Sequence, residues 1–462
     1  MIGNEKKALR CGAARRVITP PAELLGEVRG LMGTKFTSVA DDIYVRVLAV
    51  ENVEKTLLFC GFDLDKAPNP ERSMTAIAES FGVPEECVTF YGIHTHTAPA
   101  LGNREREPLN DPRKWGEKVS EATDRYEAYV HTLLMDAISE ALERLEPATV
   151  RFGSCPCGCN INRCADYCQI AQDGSVTTYA SGGPNPLGPV DHNFYVVTFE
   201  SMKGRPIAYL MNYAMHNTVM FMNNQEDREN CAISGDVGGN VSQMVEKYFP
   251  GSVALWCSGA AGDVTPVRPS LDLHREQEES EAAFAQRQQE GMLAHICNNQ
   301  YAAALSAIQN ASDPFEGTCL NAGLKWLETP GRSIVRIGRW PNQKIEIHSG
   351  PDEKPYRIRL HMVRIGRLIV FGIGGELYSS YALKLKEKFP DYEVLVINHD
   401  ASLIEDANYI LDDDSWYRAS RVPAGVMSLP GTPPKYEAGY IEAALMEAAE
   451  QMVAGFENKE QR

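Results

Sequence analysis

Apolar, strand-like runs and helix-period stretches take turns along almost the whole chain, and this alternation limits the fold more than any other feature. Val45–Val50 and Thr56–Phe62 read as buried strands joined by the polar turn Glu51-Asn-Val-Glu-Lys55. Glu71–Phe81 reads as a helix ended by Gly82 and Pro84, and Cys87–Ile93 as the next strand. In Val119–Leu145 the apolar positions Tyr126, Val130, Leu133, Leu134, Ala137, Ile138, Ala141, Leu142 and Leu145 recur at three- and four-residue spacing, which predicts a helix; Pro147 ends the segment. The second half keeps the habit. Phe194–Phe199, Ile207–Tyr213 and Val253–Cys257 are strand-like, while Val237–Tyr248 and Glu278–Asn310 are helical. Ile358–Val363 and Leu368–Ile373 read as paired strands, followed by a helix over Glu376–Phe389, a strand over Glu393–Ile397 and a closing helix over Ala438–Val453. Such a chain is expected to be α/β, with mixed β-sheets layered with helices. No repeat or low-complexity linker divides it, so residues 1–462 are expected to form a single large domain. Residues 155–192, rich in Cys, Gly, Asn and Pro, are expected to be long and irregular.

Composition narrows the function classes. The 462 residues hold 45 basic and 62 acidic side chains, a formal charge of −17. That balance lacks the basic field used to bind nucleic acid or an anionic membrane. Hydrophobic residues at 44% exclude a disordered chain. No apolar run approaches the ~20 residues that span a bilayer, so no transmembrane segment is expected. Met1–Arg10 has no apolar core of a secretory signal, which predicts a cytoplasmic protein with free thiols. Five cysteines crowd together as Cys155, Cys157, Cys159, Cys164 and Cys168. Their spacing matches no zinc-finger or ferredoxin pattern, and a loop of free thiols is expected.

Three segments could carry chemistry. His94-Thr-His96 directly follows the strand ending at Ile93. In extended chain, residues i and i+2 point to one side, so the two imidazoles could share a metal or divide metal and proton work. His216 follows the strand Ile207–Tyr213, and Glu376 follows Leu368–Ile373 after the pair Gly374-Gly375. Two histidines and a carboxylate, each after a strand, suit a zinc site with an open position. The same spacing also suits ordinary hydrogen-bonded histidines and a carboxylate at a helix N-terminus, where the dipole favours it. Spacing alone leaves both readings open. Among the other histidines, His131, His274 and His295 are expected at the surface. His348 and His361 show no partner pattern, and His192 and His399 each adjoin an aspartate. The turn Gly259-Ala-Ala-Gly262-Asp263-Val264-Thr265-Pro266 follows the strand Val253–Cys257 and could present Thr265 or backbone N–H groups to a ligand.

Taken in order, these segments resemble the neutral (neutral/alkaline, non-lysosomal) ceramidase family. Gly12–Pro21 resembles its opening segment, Asp42–Arg46 its first core strand, and His94-Thr-His96-Thr-Ala-Pro99 its H-T-H-S-G-P motif. Asn160-Ile-Asn162-Arg163 is similar to its N-x-N-R element. His216, Gly262–Pro266, Gly375-Glu376, Asn408-Tyr409-Ile410 and Tyr436-Glu437 follow in sequence. The resemblance implies a catalytic domain of the neutral ceramidase type with a zinc ion held by His94, His216, Glu376 and Tyr409. It implies His96 as the acid/base group, Arg163 and Tyr436 as partners of the carbonyl or its oxyanion, and hydrolysis of an amide through a zinc-activated water.

Departures from the family pattern shift the expectation. Thr265 stands where the family has serine, and its methyl group crowds a hydroxyl attack, which favours water as nucleophile. Ala98 and Ala100 narrow the loop after His96. The family's C-terminal β-sandwich domain is expected to be absent. The expected activity is therefore a zinc-dependent amidohydrolase acting on a small-molecule or lipid-like N-acyl substrate, within lipid metabolism and compatible with a homo-oligomer. The alternatives are a zinc-dependent esterase, lactonase or lyase on a small polar metabolite, or a non-catalytic metal-binding homologue.

Overall fold

The structure, a computed structural model, describes residues 9–101, 117–221, 228–268, 274–317, 319–337, 344–401, 409–419 and 429–460. Its larger sheet has the strand order Val253–Ser258, Pro206–Tyr213, Asn193–Ser201, Glu146–Pro156, Arg10–Val17, Tyr44–Glu51, Thr56–Phe62, Val88–Gly92. The two central strands share only the short ladder Arg10↔Pro147 and Cys11↔Glu146. The sheet therefore splits into two leaves that fold onto each other, with Val253–Ser258 lying across Tyr44–Glu51 and Thr56–Phe62. Most neighbours are antiparallel. The parallel pairs, Thr56–Phe62 with Val88–Gly92 and Pro206–Tyr213 with Val253–Ser258, are those bridged by the helices Pro70–Phe81 and Asp236–Tyr248. Parallel neighbours need such a crossover, whereas antiparallel ones need only a turn.

A second sheet orders Leu320–Thr329, Tyr356–Ile365, Leu368–Ile373 and Glu393–Asn398, its last pair parallel across the helix Ser379–Lys388. The two sheets meet at Asp400. Its Oδ1 accepts from the Phe90 N–H at 2.7 Å, while its Oδ2 takes Arg359 at 2.7 Å and His361 Nδ1 at 2.8 Å. Arg359 and its neighbour His361 pull the Asp400 carboxyl below its ordinary range against the opposing effect of burial. His361, read from the sequence as lacking a partner, is thus tied into the seam.

Two apolar cores result, one between the leaves and their helices, the other under Ser379–Lys388 and Ile441–Glu460. The long helices sit close because glycines leave room. A Cβ on Gly12 would lie 2.1 Å from Ala141 O, and one on Gly153 would lie 2.0 Å from Ala307 O. Inside the first core, buried Arg46 spans Asp63 with both oxygens (2.8 and 2.7 Å) and Glu246 Oε1 at 2.9 Å. A charge so deep is tolerable only when anionic partners lie against it.

The layered α/β architecture expected from the sequence is present. Two local expectations are corrected. Residues 155–192 are not irregular: Asn160–Ile170 and Val176–Asn185 form an antiparallel hairpin. Much of its length is exposed on both faces, so the sequence lacks the apolar alternation that marks a strand. Glu376 does not open a helix. Glu376–Leu377 is a two-residue strand, and the helix starts at Ser379. No helix among the described residues is long and apolar enough to cross a membrane.

Candidate metal centre

The site lies where strand ends from both sheets converge. Thr95 bridges Asn217 as a parallel β-pair, which sets the segment after Val88–Gly92 beside the segment after Pro206–Tyr213. His94 adopts φ 64°, a left-handed conformation that a side chain with a Cβ visits at a cost. The kink abandons the simple extended geometry and brings His94 Nε2 within 3.2 Å of His96 Nε2. Across from these, the strand pair Glu376–Leu377 and Tyr409–Ile410 runs parallel, with Glu376 directly opposite Tyr409.

Glu376 Oε2 lies 3.3 Å from His216 Nε2 and 3.6 Å from His94 Nε2, and ligand atoms of all three residues fall within 4.8 Å of one another. Each imidazole is oriented from behind. His216 Nδ1 is 2.9 Å from the Val264 carbonyl, which can only accept, so the proton sits on Nδ1 and the Nε2 lone pair faces Glu376. His94 Nδ1 lies 2.7 Å from Asp65 Oδ1, a close ion-pair approach in which neither atom has an aligned hydrogen-bond partner. An acidic or carbonyl group behind a ligating histidine is the usual outer support of a metal site.

The electrostatics agree. Burial, reinforced by Arg163, depresses the His216 pKa to about 3. Burial and then His94 do the same for His96, also to about 3. Burial alone would raise the Glu376 carboxyl, but the neighbouring His94 and His216 outweigh it and hold it well below its usual range. At neutral pH the centre therefore presents the Glu376 carboxylate beside the neutral imidazoles of His216 and His96. Glu376 Oε2 is buried without a hydrogen-bond partner. Ligand atoms of one carboxylate and two histidines gathered at one buried point suit a divalent cation, so His94, His216 and Glu376 fit a divalent metal.

No family model matches the sequence, and no curated protein does. Among solved structures, neutral ceramidase from Pseudomonas aeruginosa is similar with a TM-score of 0.69 and 16% identity, over 98% of this chain and 75% of that one. A ceramidase complexed with C2 is similar at TM-score 0.69 and 14% identity, over 98% and 76%. The fold is that of neutral ceramidase.

Within this neutral ceramidase-like fold the other expected site residues separate into two groups. Arg163 joins the cluster: one terminal nitrogen lies 3.0 Å from His216 Nε2, 2.7 Å from Gly262 O and 3.2 Å from the Tyr409 hydroxyl. Burial and the nearby Glu376 charge raise the Tyr409 pKa, so its hydroxyl keeps its proton. Thr265 pairs with Ile161 and faces, with Arg163, a cavity of about 700 Å³ walled by Pro184, Pro266, Val267 and Pro430. Tyr436 stands apart. Its hydroxyl bonds the Leu411 backbone, at 2.6 Å to the N–H, and its ring packs on Tyr356 in the second core. Asn408 lies outside the described residues.

Two members were not legible as such. His399 stacks on His94 at 4.0 Å, buried and at φ 62°. Its adjacency to an aspartate was its only signal, and that aspartate serves the seam instead. Asp65 has no spacing relation to any histidine; only the tertiary fold sets it behind His94.

Proposed function

We propose that this protein is a zinc-dependent amidohydrolase acting on an N-acyl substrate, with His94, His216, Glu376 and Tyr409 as the metal-holding residues. The observation that carries the reading is the convergence of the orphaned Glu376 Oε2 with the Nε2 atoms of His94 and His216. The ceramidase architecture around it supports the reaction class. When bound, zinc supplies Lewis acidity toward a carbonyl and lowers the pKa of water towards ~7.

The chain's own residues account for the rest. His96, partly exposed and neutral, sits beside His94 and is the acid/base group that takes a proton from water and passes it to the leaving amine. Arg163 is a donor suited to the oxygen on which negative charge develops. The cavity beside Arg163 and Thr265 receives the acyl portion, its prolines and aliphatic residues excluding water. Phe221, 5.0 Å from the His96 ring, screens the proton-transfer group on the other side.

The deciding experiment pairs metal analysis with a substrate panel. Purified protein should carry about one zinc per chain, and N-acyl amides should be cleaved in preference to esters, lactones and sugar derivatives, with loss of turnover on chelation. Zinc retained in both His94→Ala and Glu376→Ala would reject the site. Preference for esters or lactones would move the activity to the alternative reaction classes on the same centre.

A further inference from the structure

Away from the metal centre, Cys157-Gly158-Cys159 leaves the end of the strand Glu146–Pro156 and turns towards the hairpin. The turn is held firmly. The Tyr213 hydroxyl donates to Cys157 O at 2.5 Å and accepts from the Cys159 N–H at 3.0 Å. Cys157 N–H donates to His192 O at 2.7 Å, and Cys159 O accepts from Val267 N–H at 2.8 Å. Gly158 faces solvent with nothing near its Cβ position, while both cysteines turn inward. Both thiols are free. On that inner side lies a cavity of about 370 Å³, closed by the helix Glu281–Gln309, with the exposed His295 and Asn299 at its rim.

We propose that Cys157 and Cys159 form a redox-active dithiol whose cavity admits low-molecular-weight disulfides. The reaction is thiol–disulfide exchange. The Cys157 thiolate attacks one sulfur of the small disulfide, its S–S bond breaks, and one small thiolate leaves with the electron pair. Cys159 then attacks Cys157 Sγ, forming the Cys157–Cys159 bond and releasing the second small thiolate. The two protein thiol protons end on the two released thiols, so the protein is oxidised by two electrons and the small disulfide reduced by two.

Three observations support this pairing over the neighbouring cysteines. Residues i and i+2 around an exposed glycine can close a small ring only outside extended geometry, and residues 157–159 belong to no strand. The neighbouring Cys159 thiol favours the ionised form of Cys157 and lowers its pKa, whereas Cys157 raises that of Cys159. An attacking thiolate with a protonated partner beside it is the arrangement exchange requires. Cys60 and Cys257, by contrast, lie wholly buried in the core, and burial pushes their thiols up.

The test treats the full-length Cys155→Ser protein with oxidised glutathione, blocks remaining thiols with an alkylating agent and maps tryptic peptides. The peptide spanning 152–163 then contains only Cys157 and Cys159. It is expected to lose two hydrogens and take no alkyl group. In Cys159→Ser the reaction should stop at the mixed disulfide, with one glutathionyl group on Cys157. In Cys157→Ser the adduct should form several-fold more slowly at Cys159. Alkylation of both Cys157 and Cys159 after treatment, or glutathionyl groups confined to the exposed Cys168, overturns the proposal. So does a Cys155–Cys157 disulfide in the unsubstituted protein.

Discussion

Glu376 and Tyr409 face each other in a two-residue parallel ladder, and that ladder aims the carboxylate between two imidazoles. The arrangement favours a cation. Glu376→Gln keeps the volume but removes the carboxylate charge, so the variant is expected to lose zinc uptake. Metal analysis of the purified variant checks this; about one zinc per chain retained in Glu376→Gln counts against Glu376 as a ligand.

Gly262 packs against the same ladder. A Cβ there would stand 2.4 Å from Glu376 O, and its N–H already binds Leu377 O at 2.9 Å. Gly262→Ala must shift the Glu376 peptide. We expect a loss of ~1–3 kcal/mol from overpacking and at least ~10-fold weaker zinc binding, measured by competition with a chromophoric chelator. Gly455 is the contrast: it lies within the helix Ile441–Glu460 with open space at its Cβ position, so Gly455→Ala should stabilise by ~0.5–1 kcal/mol and leave the zinc affinity alone.

Arg163 reaches His216, Gly262 and Tyr409 through one nitrogen of a rigid fork. Lysine retains the charge but not the fork. Arg163→Lys should lower kcat by ~10²-fold or more with little change in metal content. A kcat within twofold of the parent would remove Arg163 from the stabilisation of developing charge.

The buried Asp263 gives a pH signature. Burial raises its carboxyl to about 6 despite hydrogen bonds from Ser379 and Asn162. With the folded pKa above the unfolded value near 3.8, the folded state binds more protons between those values. The stability that protonated Asp263 contributes is fully present below pH ~3.8 and is lost as pH rises through about 6. Two pKa units correspond to about 3 kcal/mol. Relative to the parent, Asp263→Asn should therefore gain about that much on going from pH 4 to pH 7. Parallel stability profiles for the two proteins would contradict it.

Arg46 offers a test remote from the metal. Arg46→Ala leaves Asp63 and Glu246 buried with lost partners and should cost about 3–5 kcal/mol. Specific activity per folded molecule should hold, since the network touches none of the four candidate ligands.

How much of this was legible depended on whether the relevant physics is local. The helices Pro70–Phe81 and Asp236–Tyr248 were readable because period and end signals lie within a few residues; Asn69 caps the first and Gly82 closes it at φ 67°. His94, His216 and Glu376 could be marked because each follows an apolar strand. The reason given for Glu376 was wrong, since a pairing partner far along the chain, Tyr409, makes it strand rather than helix start. Asp65 and His399 carry no local mark, and the hairpin 160–185 hides because both its faces meet water. Tyr436 fitted a motif, yet its hydroxyl is spent on Leu411.

His94 and His216 follow strands of the larger sheet, Glu376 follows a strand of the second and pairs with Tyr409, and Asp400 fastens the two sheets. Neither half of the molecule would own the complete proposed ligand set. A cation held there would act as a rivet between the sheets, and loosening the Asp400 clasp would weaken its hold.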